Sequence, residues 1–379
     1  MRLSVISAAL VAALIGFGST IALVLAAAAA VGATPAQTTS WIFAICLAKA
    51  AGSAWLSWSQ KMPVVLAWST PGAALIAASA GHSMGGAVAA FVLAGALIFL
   101  TGLIGPLGRL IGMIPRGIAA AMLGGVLLPF CLKVPAQVVA LPQIVAPIIA
   151  VFAVVRLWNP AFAVLAALAT GLGLSWWTAP PLLTITLPAL TFIAPTLDLH
   201  SLIGLGLPLF LVTMASQNLP GFAVLQTAGF APPVRPALLT TGGLSMFSAL
   251  FGAHTVNMAA ITAAICLADD VHPDRTKRWI VGPTYGFFWL LLGLSSPMIL
   301  TALTDLPPQV MATVVGLALI NALTGALTAA FADPADRFAA ACTLIITTSG
   351  VAFAGVGAAF WGLSAGLIIV ITERLTRRF

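Results

Sequence analysis

Apolar segments long enough to cross a bilayer follow one another along almost the entire chain, from Leu3 to beyond residue 370. A helix needs about 20 consecutive apolar residues to cross the hydrocarbon core, so each such segment predicts a membrane-spanning helix. Charged residues make up 6% of this chain, whereas soluble domains contain about 25%. The sequence therefore predicts an all-α integral membrane protein with little chain left for a soluble domain.

We predict fourteen transmembrane segments, each bounded by charged residues or by Pro and Gly clusters. The third and tenth are too short to cross as helices alone, and each needs an extended lead-in to complete its crossing. The segments lie near residues 4–31, 38–59, 63–80, 84–104, 114–132, 138–156, 160–177, 201–226, 236–250, 252–268, 279–301, 309–331, 336–354 and 357–373.

The placement of the basic residues agrees with this count. With a cytoplasmic N-terminus, Lys133 falls outside, Lys49 lies within a segment, and the other thirteen Lys and Arg residues fall on the cytoplasmic side. Because basic residues favour the cytoplasm, this asymmetry predicts a multi-pass protein of the bacterial cytoplasmic (inner) membrane with both termini cytoplasmic. These residues are scattered singly, so the net charge of +7 predicts no nucleic-acid partner. The thirteen are Arg2, Lys61, Arg109, Arg116, Arg156, Arg235, Arg275, Lys277, Arg278, Arg337, Arg374, Arg377 and Arg378.

Residues 64–78 predict a helix that begins inside the membrane. A β-branched, extended start is followed by Ser69 and Thr70, which supply hydroxyls for an N-cap, and by Pro71, which suits the first helical turn. The amides at such a helix start need polar partners, because hydrocarbon supplies none. The positive end of the helix also favours an anion. This segment therefore predicts part of a binding site.

A second segment, 252–264, matches the first, and other matches occur in the same order along the two halves of the chain. Seven segments per half is an odd number, so the second half is inverted relative to the first. We predict a seven-plus-seven inverted repeat, with residues 1–177 and 201–379 as its halves, segments 3 and 10 as half-helices, and 178–200 as an external connection. The alignment pairs Ser69 with His254, Thr70 with Thr255, and Gly72 with Asn257.

No carboxylate lies within a predicted segment, because all eight Asp and Glu residues fall in loops or at segment ends. A cation site in a membrane ordinarily needs an acid, so two helix tips with His254 and Lys49 at membrane depth favour a small anion. His254 is interpreted either as a packing histidine or as a ligand and proton-coupling residue. Lys49 either bonds carbonyl groups, is neutral, faces a wet cavity, or takes part in proton coupling.

Polar residues also interrupt segment 8 at 214–221. The amides of Gln217 and Asn218 are interpreted either as substrate contacts or as polar contacts between helices. Asn257 is equally well a helix cap or a contact. Four tryptophans are interpreted as interface anchors, with packing of one of them, at position 68, on an aromatic ligand as the alternative. These are Trp41, Trp55, Trp58 and Trp68.

The sequence contains no motif typical of an enzyme. HExxH, Walker and GxGxxG patterns are missing, and so is any pair of acids within a segment. The four cysteines lie far apart, without a Cys/His cluster. We therefore expect no enzymatic activity, no cofactor and no metal.

Four motifs, spread over the whole chain, resemble the benzoate:proton symporter (BenE-type) family. They are Gly-Phe-Gly-Ser-Thr at 16–20, Trp-Ser-Thr-Pro-Gly-Ala-Ala-Leu at 68–75, Met-Ala-Ser-Gln-Asn-Leu-Pro-Gly at 214–221 and Gly-Ala-His-Thr-Val-Asn at 252–257. More remotely, the chain is similar to uracil/nucleobase permeases and to sulfate-type anion transporters.

The resemblance implies a core domain (1–108 and 201–304) and a gate domain (109–177 and 305–379), with substrate bound between half-helices 3 and 10 and close to segment 8. The nucleobase relatives carry acids at the positions of Gln217 and His254 in this sequence. An acid repels a carboxylate, whereas an amide or imidazole donates to one. The difference favours an aromatic carboxylate over a nucleobase.

We therefore expect a secondary active transporter that takes up benzoate or a similar aromatic carboxylate together with protons by alternating access. Three alternatives stay open: another small anion or a nucleobase as cargo, an uncoupled facilitator, and a non-transporting scaffold protein. Whether the chain forms a homodimer among the membrane lipids also stays open. The predicted substrate contacts are Trp68, Ser69, Thr70, Gly72, Gln217, Asn218, His254, Thr255 and Asn257, and the predicted proton-coupling residues are His254 and Lys49.

Overall fold

The structure is a computed structural model that describes residues 2–79, 81–105, 115–178, 186–351, 353 and 356–376. The predicted core–gate boundary at 108–109 lies outside these residues. The elements are α1 (Leu3–Gly18), α2 (Ile21–Ala30), α3 (Pro35–Gln60), β1 (Leu66–Trp68), α4 (Thr70–Ala78), α5 (Met84–Leu103), α6 (Arg116–Ala140), α7 (Pro142–Trp158), α8 (Pro160–Thr178), α9 (Leu199–Thr227), α10 (Val234–Ala249), β2 (Val256–Met258), α11 (Ile261–Leu267), α12 (Val281–Leu294), α13 (Ser296–Thr304), α14 (Pro308–Ala330), α15 (Arg337–Thr348) and α16 (Ala358–Thr376).

Seven helical stretches of the described chain are long and apolar enough to cross a membrane. The bent pair Arg275–Leu294 and Ser296–Thr304, with an angle of 56° between its parts, makes an eighth. The first stretch runs from Leu3 to Ala30 and is interrupted between α1 and α2, at the predicted polar break. These lengths and compositions confirm the predicted class, an α-helical multi-pass membrane protein.

β1 and β2 form a short antiparallel pair inside the bundle, with Leu66 opposite Met258 and Trp68 opposite Val256. Each strand leads into a short helix, β1 into α4 and β2 into α11. The two strands therefore lie side by side and run in opposite directions, and the helix that follows each strand continues away from the pair.

Serines on neighbouring helices pair with the backbone around these buried strands. On α3, Ser57 accepts from the Val64 amide at 2.9 Å and Ser53 accepts from the Leu66 amide at 2.9 Å. On α10, Ser245 accepts from the Val256 amide at 2.9 Å. Extended backbone is tolerated within a membrane protein only where such partners exist, so these serines allow the chain to be non-helical there.

The helices pack as two groups. In one group, α5 packs on α10, α3 packs on α12, and α1 packs on α11 and α12 around the strand pair. In the other, α6 packs on α14 and α15, α15 packs on α16, and α7 packs on α8. The groups meet where α4 and part of α9 lie against α6, where α9 also lies against α16, where α1 lies against α8, and where α2 lies against α14.

α5 and α10 approach each other to backbone contact. A Cβ atom added to Gly242 would lie 2.4 Å from the backbone nitrogen of Phe99, and one added to Gly95 would lie 2.8 Å from the backbone nitrogen of Met246. Small residues allow membrane helices to pack this closely. The position of α10, and with it the position of Ser245, therefore depends on these glycines.

α9 contains two π-helical turns, Leu202–Gly206 and Met214–Asn218. A π turn inserts one residue into the helical repeat and redirects the side chains near it, and such turns are frequent at functional sites. The second turn coincides with the polar patch predicted at 214–221, and it lies against both β2 and α6.

The four tryptophans predicted as interface anchors divide into two pairs. Trp55 and Trp58 are 56% and 53% exposed, which agrees with an outward-facing role. Trp41 and Trp68 are buried, at 0% and 2%. The prediction of interface anchors is therefore wrong for Trp41 and Trp68, because both pack against polar residues inside the bundle.

Candidate functional site

The first helix tip has the predicted cap. The Ser69 hydroxyl accepts from the Gly72 amide at 3.0 Å, and Pro71 lies in the first turn. The Ser69 amide is itself held by the Thr255 carbonyl at 3.1 Å. In this turn Pro71 has no N–H and the Gly72 amide is bonded to Ser69. The Thr70 amide is therefore left without a hydrogen-bond partner in the described chain. The tip therefore presents one backbone donor.

Gly72 is required for the shape of this tip. A Cβ atom at Gly72 would lie 2.6 Å from Leu209 Cδ1 and 2.7 Å from Ser69 Oγ. A side chain there would push on the cap and on α9 together. Gly72 therefore serves the packing of the tip and the Ser69 cap.

Hydroxyl groups join the tip to neighbouring elements. Thr213 on α9 donates to Ser69 Oγ at 3.2 Å and lies 2.8 Å from the Thr255 hydroxyl. These three residues are completely buried. On the other side, Thr20 lies 3.0 Å from the Thr70 hydroxyl. Both breaks in the chain, at α1–α2 and in α9, thus contact the tip of α4.

Two asparagines hold the strand pair. The hydrogen-bonding neighbours of Asn257 assign its amide orientation: the oxygen accepts from the Ser69 amide at 2.9 Å and the nitrogen donates to the Met258 carbonyl at 2.8 Å. Asn218 accepts from the Met258 amide at 2.9 Å and donates to the sulfur of Met214 at 3.3 Å. Both amides are engaged with the protein, so they position the site more than they face a ligand.

His254 has one ring nitrogen bonded and one free of partners. The Trp41 indole N–H donates to Nδ1 of His254 at 2.9 Å. An indole nitrogen only donates, so Nδ1 is the acceptor and the neutral ring carries its hydrogen on Nε2. The Ser69 backbone lies close enough to act on this ring, but it does not form a hydrogen bond of acceptable geometry, so the buried Nε2 has no hydrogen-bond partner among the described residues. His254 therefore offers an unpaired N–H donor next to the α4 tip.

Gln217, in the predicted polar patch, is half-buried and lies within the second π turn of α9. No hydrogen bond involves its side chain in the part of the chain that the structure describes. Its amide is therefore available both as a donor and as an acceptor.

Lys49 lies behind the tip, in a pocket of aromatic rings. It is 1% exposed, and its Nζ lies 4.4 Å from the centre of the Trp68 ring and 2.8 Å from the centre of the Trp289 ring. Trp68 and Trp289 are in T-shaped contact at 5.1 Å, and Phe17 contacts both rings. We call Lys49, Trp68 and Trp289 the lysine cage.

The second tip differs from the predicted alignment. α11 begins at Ile261 after the N-cap residue Ala260, whose side chain makes no capping bond. His254 and Asn257 therefore lie before and within β2, and the pairing of Ser69 with His254 is wrong in register. The sequence alignment matched polar residues of the two segments. In the structure, the matching parts of the two segments are the paired strands, residues 66–68 and 256–258, each of which precedes a short helix.

Several residues of this site were not predicted as contacts. Thr213 lies immediately before the polar patch and four residues before Gln217, so helical spacing would have included it. Trp41 was interpreted as an interface anchor, and Tyr285 and Trp289 gave no signal, because buried aromatic residues in an apolar helix resemble any other packing residue. Tyr285 donates to the Leu66 carbonyl at 3.1 Å and so holds β1 in place.

An apolar cavity of about 300 Å³ lies between the two helix groups. Phe17 and Gly18 line it from α1, Leu165 and Leu168 line it from α8, and Ile299 lines it from α13. Phe17 also contacts Trp68, at a ring-centroid distance of 5.5 Å. Phe17 therefore lies between this cavity and the Trp68 ring beside the tip.

Hydrogen bonds also fix the predicted external end of α9. The Ser201 hydroxyl donates to Asp198 at 2.6 Å, and the His200 and Ser201 amides donate to the same carboxylate, which lowers the pKa of Asp198. The ring of His82 stacks on the ring of His200 at 4.5 Å. Burial, followed by the neighbouring His200, lowers the pKa of His82. These contacts join the start of α9 to the segment before α5.

Solved transporters share this fold. The murine Solute Carrier 26 family member A9 anion transporter, in its inward-facing state, matches 100% of this chain and 69% of its own length at a TM-score of 0.65 and 11% identity. The transmembrane domain of the cyanobacterial bicarbonate transporter BicA matches 98% of this chain and 97% of its own length at a TM-score of 0.57 and 13% identity. The chain is thus an α-helical membrane protein with the fold of these transmembrane domains.

Sequence comparison then gives the family. Residues 1–372 match the family described as benzoate membrane transport protein (BenE), and the chain belongs to this family of membrane transporters. The Escherichia coli (strain K12) "Inner membrane protein YdcO" is 37% identical over 97% of this chain and 95% of its own length. The Acinetobacter baylyi (strain ATCC 33305 / BD413 / ADP1) "Benzoate membrane transport protein" is 34% identical over 97% of this chain and 94% of its own length. The predicted family is confirmed.

Proposed function

We propose that this protein is a secondary active transporter that imports benzoate or a similar aromatic carboxylate together with protons. The observation that carries the proposal is the buried Nε2–H donor of His254, which has no partner in the described chain and lies beside the tip of α4. A carboxylate is an acceptor and gains most from donors that are already oriented. The name of the Acinetobacter relative supplies benzoate as the first candidate.

The proposed site uses the groups that the protein leaves unpaired. The carboxylate accepts from His254 Nε2, from the Thr70 amide and from the Gln217 side chain, at the positive end of α4. Ser69, Gly72, Asn218, Thr255 and Asn257 hold these groups in position through the bonds described above. The ring of the substrate lies against Trp68 and the apolar boundary between the helix groups.

We propose the fourteen-segment, seven-plus-seven arrangement as the framework for this activity. The group of α1–α5 with α9–α13 corresponds to the proposed core (1–108 and 201–304), and the group of α6–α8 with α14–α16 corresponds to the proposed gate (109–177 and 305–379). The sparse contact between them supports movement of one against the other, which alternates access to the site. The basic residues support an inner-membrane orientation with both termini cytoplasmic.

Transport by the purified protein tests the substrate and the coupling together. In proteoliposomes with an alkaline lumen, labelled benzoate is expected to accumulate above its external concentration, and a protonophore is expected to abolish the accumulation. Competition by unlabelled benzoate, sulfate and uracil then compares the three cargo classes. Inhibition by sulfate alone would contradict the aromatic carboxylate, and uptake that ignores the pH gradient would indicate a facilitator. Absence of any flux would favour the scaffold alternative.

Two serine caps provide a matched pair of variants. Ser69 and Ser83 cap α4 and α5 in the same way, each accepting from the amide three residues later, at 3.0 and 3.2 Å. Ser69→Ala and Ser83→Ala are each expected to cost about 1 kcal/mol of stability through loss of the cap. Only Ser69→Ala is expected to lower benzoate uptake, by about tenfold, because Ser69 also holds Thr213. Equal uptake by the two variants would contradict a substrate site at the α4 tip.

A further inference from the structure

Lys49 is a buried amine, and the described chain supplies no anion to balance its protonated form. Its side chain makes no hydrogen bond or ion pair among the described residues, and its contacts are the two rings of the lysine cage. The ion pairs that the structure contains in the described ranges belong to Lys277, Arg278 and Arg374. All eight Asp and Glu residues lie in loops or at helix ends. A charge on Lys49 would therefore be unbalanced within the described part of the chain.

The other titratable groups around Lys49 do not provide a negative charge at neutral pH. Cys46 lies one turn earlier on α3, Tyr285 packs on Trp289 from α12, Cys266 lies on α11, and His254 precedes β2. Thiols and phenols are neutral under these conditions. The elements packed against α3 carry charged residues only near their ends, namely Arg235, Asp274, Arg275, Lys277, Arg278 and Asp305.

An isolated ammonium group is costly to bury, and two aromatic faces offset only part of that cost. The charged form of Lys49 therefore becomes favourable when an anion arrives. Trp68 forms part of the lysine cage and directly precedes Ser69, so a carboxylate at the α4 tip arrives next to the cage. Protonation of Lys49 and binding of the carboxylate consequently favour each other, as linkage requires of two coupled ligands.

His254 is poorly suited to take up the same proton. Protonating its ring would place a hydrogen on Nδ1, which faces the indole N–H of Trp41 at 2.9 Å, so the existing hydrogen bond would be lost. A positive charge on Lys49 would also act on His254, so the two groups disfavour being charged together. His254 remains a neutral donor, which leaves Lys49 as the group that changes charge.

We propose that Lys49 takes up the proton that is transported with the carboxylate. In the empty protein its amine is neutral; when the anion binds, the amine accepts a proton from water on the open side and becomes an ammonium. The anion and the ammonium then move as a neutral pair. When the carboxylate leaves on the other side, Lys49 releases its proton to the water on that side. This inference rests on the proposed function, because it needs an anionic cargo.

Binding of benzoate to the purified protein in detergent tests the proposal without a gradient. The carboxylate of benzoate is ionised at every pH between about 6 and 9. Uptake of one proton per benzoate predicts that the affinity of the unmodified protein falls about tenfold per pH unit over the part of this range in which Lys49 is neutral in the free protein. Calorimetry in two buffers with different ionisation enthalpies counts the same proton directly.

Two variants at Lys49 and one elsewhere separate coupling from folding. Lys49→Met is expected to bind benzoate weakly with no pH dependence and no proton uptake. Lys49→Arg keeps a permanent charge, so it is expected to bind with an affinity that does not change with pH. Lys133→Met, at an exposed lysine near Phe130, serves as the control and is expected to match the unmodified protein.

The outcomes distinguish the two proposals. Benzoate binding by the unmodified protein without proton uptake, or proton uptake that persists in a folded Lys49→Met or Lys49→Arg variant, would overturn the role of Lys49 and leave the substrate intact. No binding of benzoate by the unmodified protein would overturn the proposed substrate, and the role of Lys49 with it. Even if both variants fail to fold, benzoate binding by the unmodified protein without proton uptake would still overturn the role of Lys49.

Discussion

Replacing His254 by alanine is expected to weaken benzoate binding by about 30-fold or more. A hydrogen bond to a charged group contributes about 1.5–3 kcal/mol, which corresponds to roughly 10- to 150-fold in affinity. His254→Ala removes the buried Nε2–H donor and leaves the Trp41 indole N–H without its acceptor. The two losses act at the same place, so we expect one of the largest effects of any single substitution in the tip region.

Equilibrium binding of labelled benzoate to the purified variant measures this effect. Trp41→Phe is the informative companion, because it keeps His254 but removes the hydrogen bond that fixes its tautomer. We expect a smaller loss for Trp41→Phe, about threefold to tenfold. His272→Ala serves as the control, since His272 bonds the backbone of Asp274 in the loop before the Arg275–Ile280 turn. Unchanged affinity in a folded His254→Ala protein would remove the central donor from the proposed site.

The features predicted best from the sequence are those that depend on residues close together in the chain. The α4 tip follows from a hydroxyl, a proline and a glycine within four residues, each of which acts on its own neighbours, and the Ser69 cap is confirmed. The break between α1 and α2 and the polar patch in α9 are equally local, because each interrupts an apolar run. Such features are encoded by short-range rules on helix starts and breaks.

The start of α11, the second tip, could not be predicted by these short-range rules. α11 begins after Ala260, without a side-chain cap, so no residue marks its start. Its position is set by the pairing of β2 with β1, which joins residues from the two halves of the chain. Aligning similar polar residues placed His254 at a helix tip, whereas strand pairing places it beside the first tip. A register fixed by distant backbone contacts leaves little trace in either segment.

The chemistry of the site depends on contacts of the same long-range kind. Trp41 and His254 are 213 residues apart in sequence, yet their hydrogen bond sets which nitrogen carries the hydrogen. Lys49 and Trp289 likewise come from opposite halves. The sequence predicted that the residues at positions 49 and 254 lie at membrane depth and lack acidic partners nearby. It did not predict the aromatic residues that orient one and enclose the other, since these resemble ordinary core residues.

Gly242→Ala is expected to have the largest effect on stability among the conservative substitutions proposed for this protein. The new methyl group would lie 2.4 Å from the backbone nitrogen of Phe99 and 2.8 Å from the Gly95 carbonyl oxygen, and backbone atoms cannot rotate away. Overpacking of this kind costs about 1–3 kcal/mol and occasionally more, so we expect a loss near 3 kcal/mol. Ser245 follows on the same helix and holds the Val256 amide, so displacement of α10 also disturbs β2.

Gly243→Ala is the matched control, because it adds the same methyl group one residue later on the same helix. Its nearest neighbours are ring atoms of Phe99 at 3.9 and 4.0 Å, which is ordinary contact. Alanine favours a helix over glycine by about 1 kcal/mol, so this variant is expected to be at least as stable as the unmodified protein. Thermal unfolding of both variants in detergent, with and without benzoate, measures the difference. Equal stability would show that α5 and α10 separate easily, and rigid movement of the proposed core as one body would then lose its structural basis.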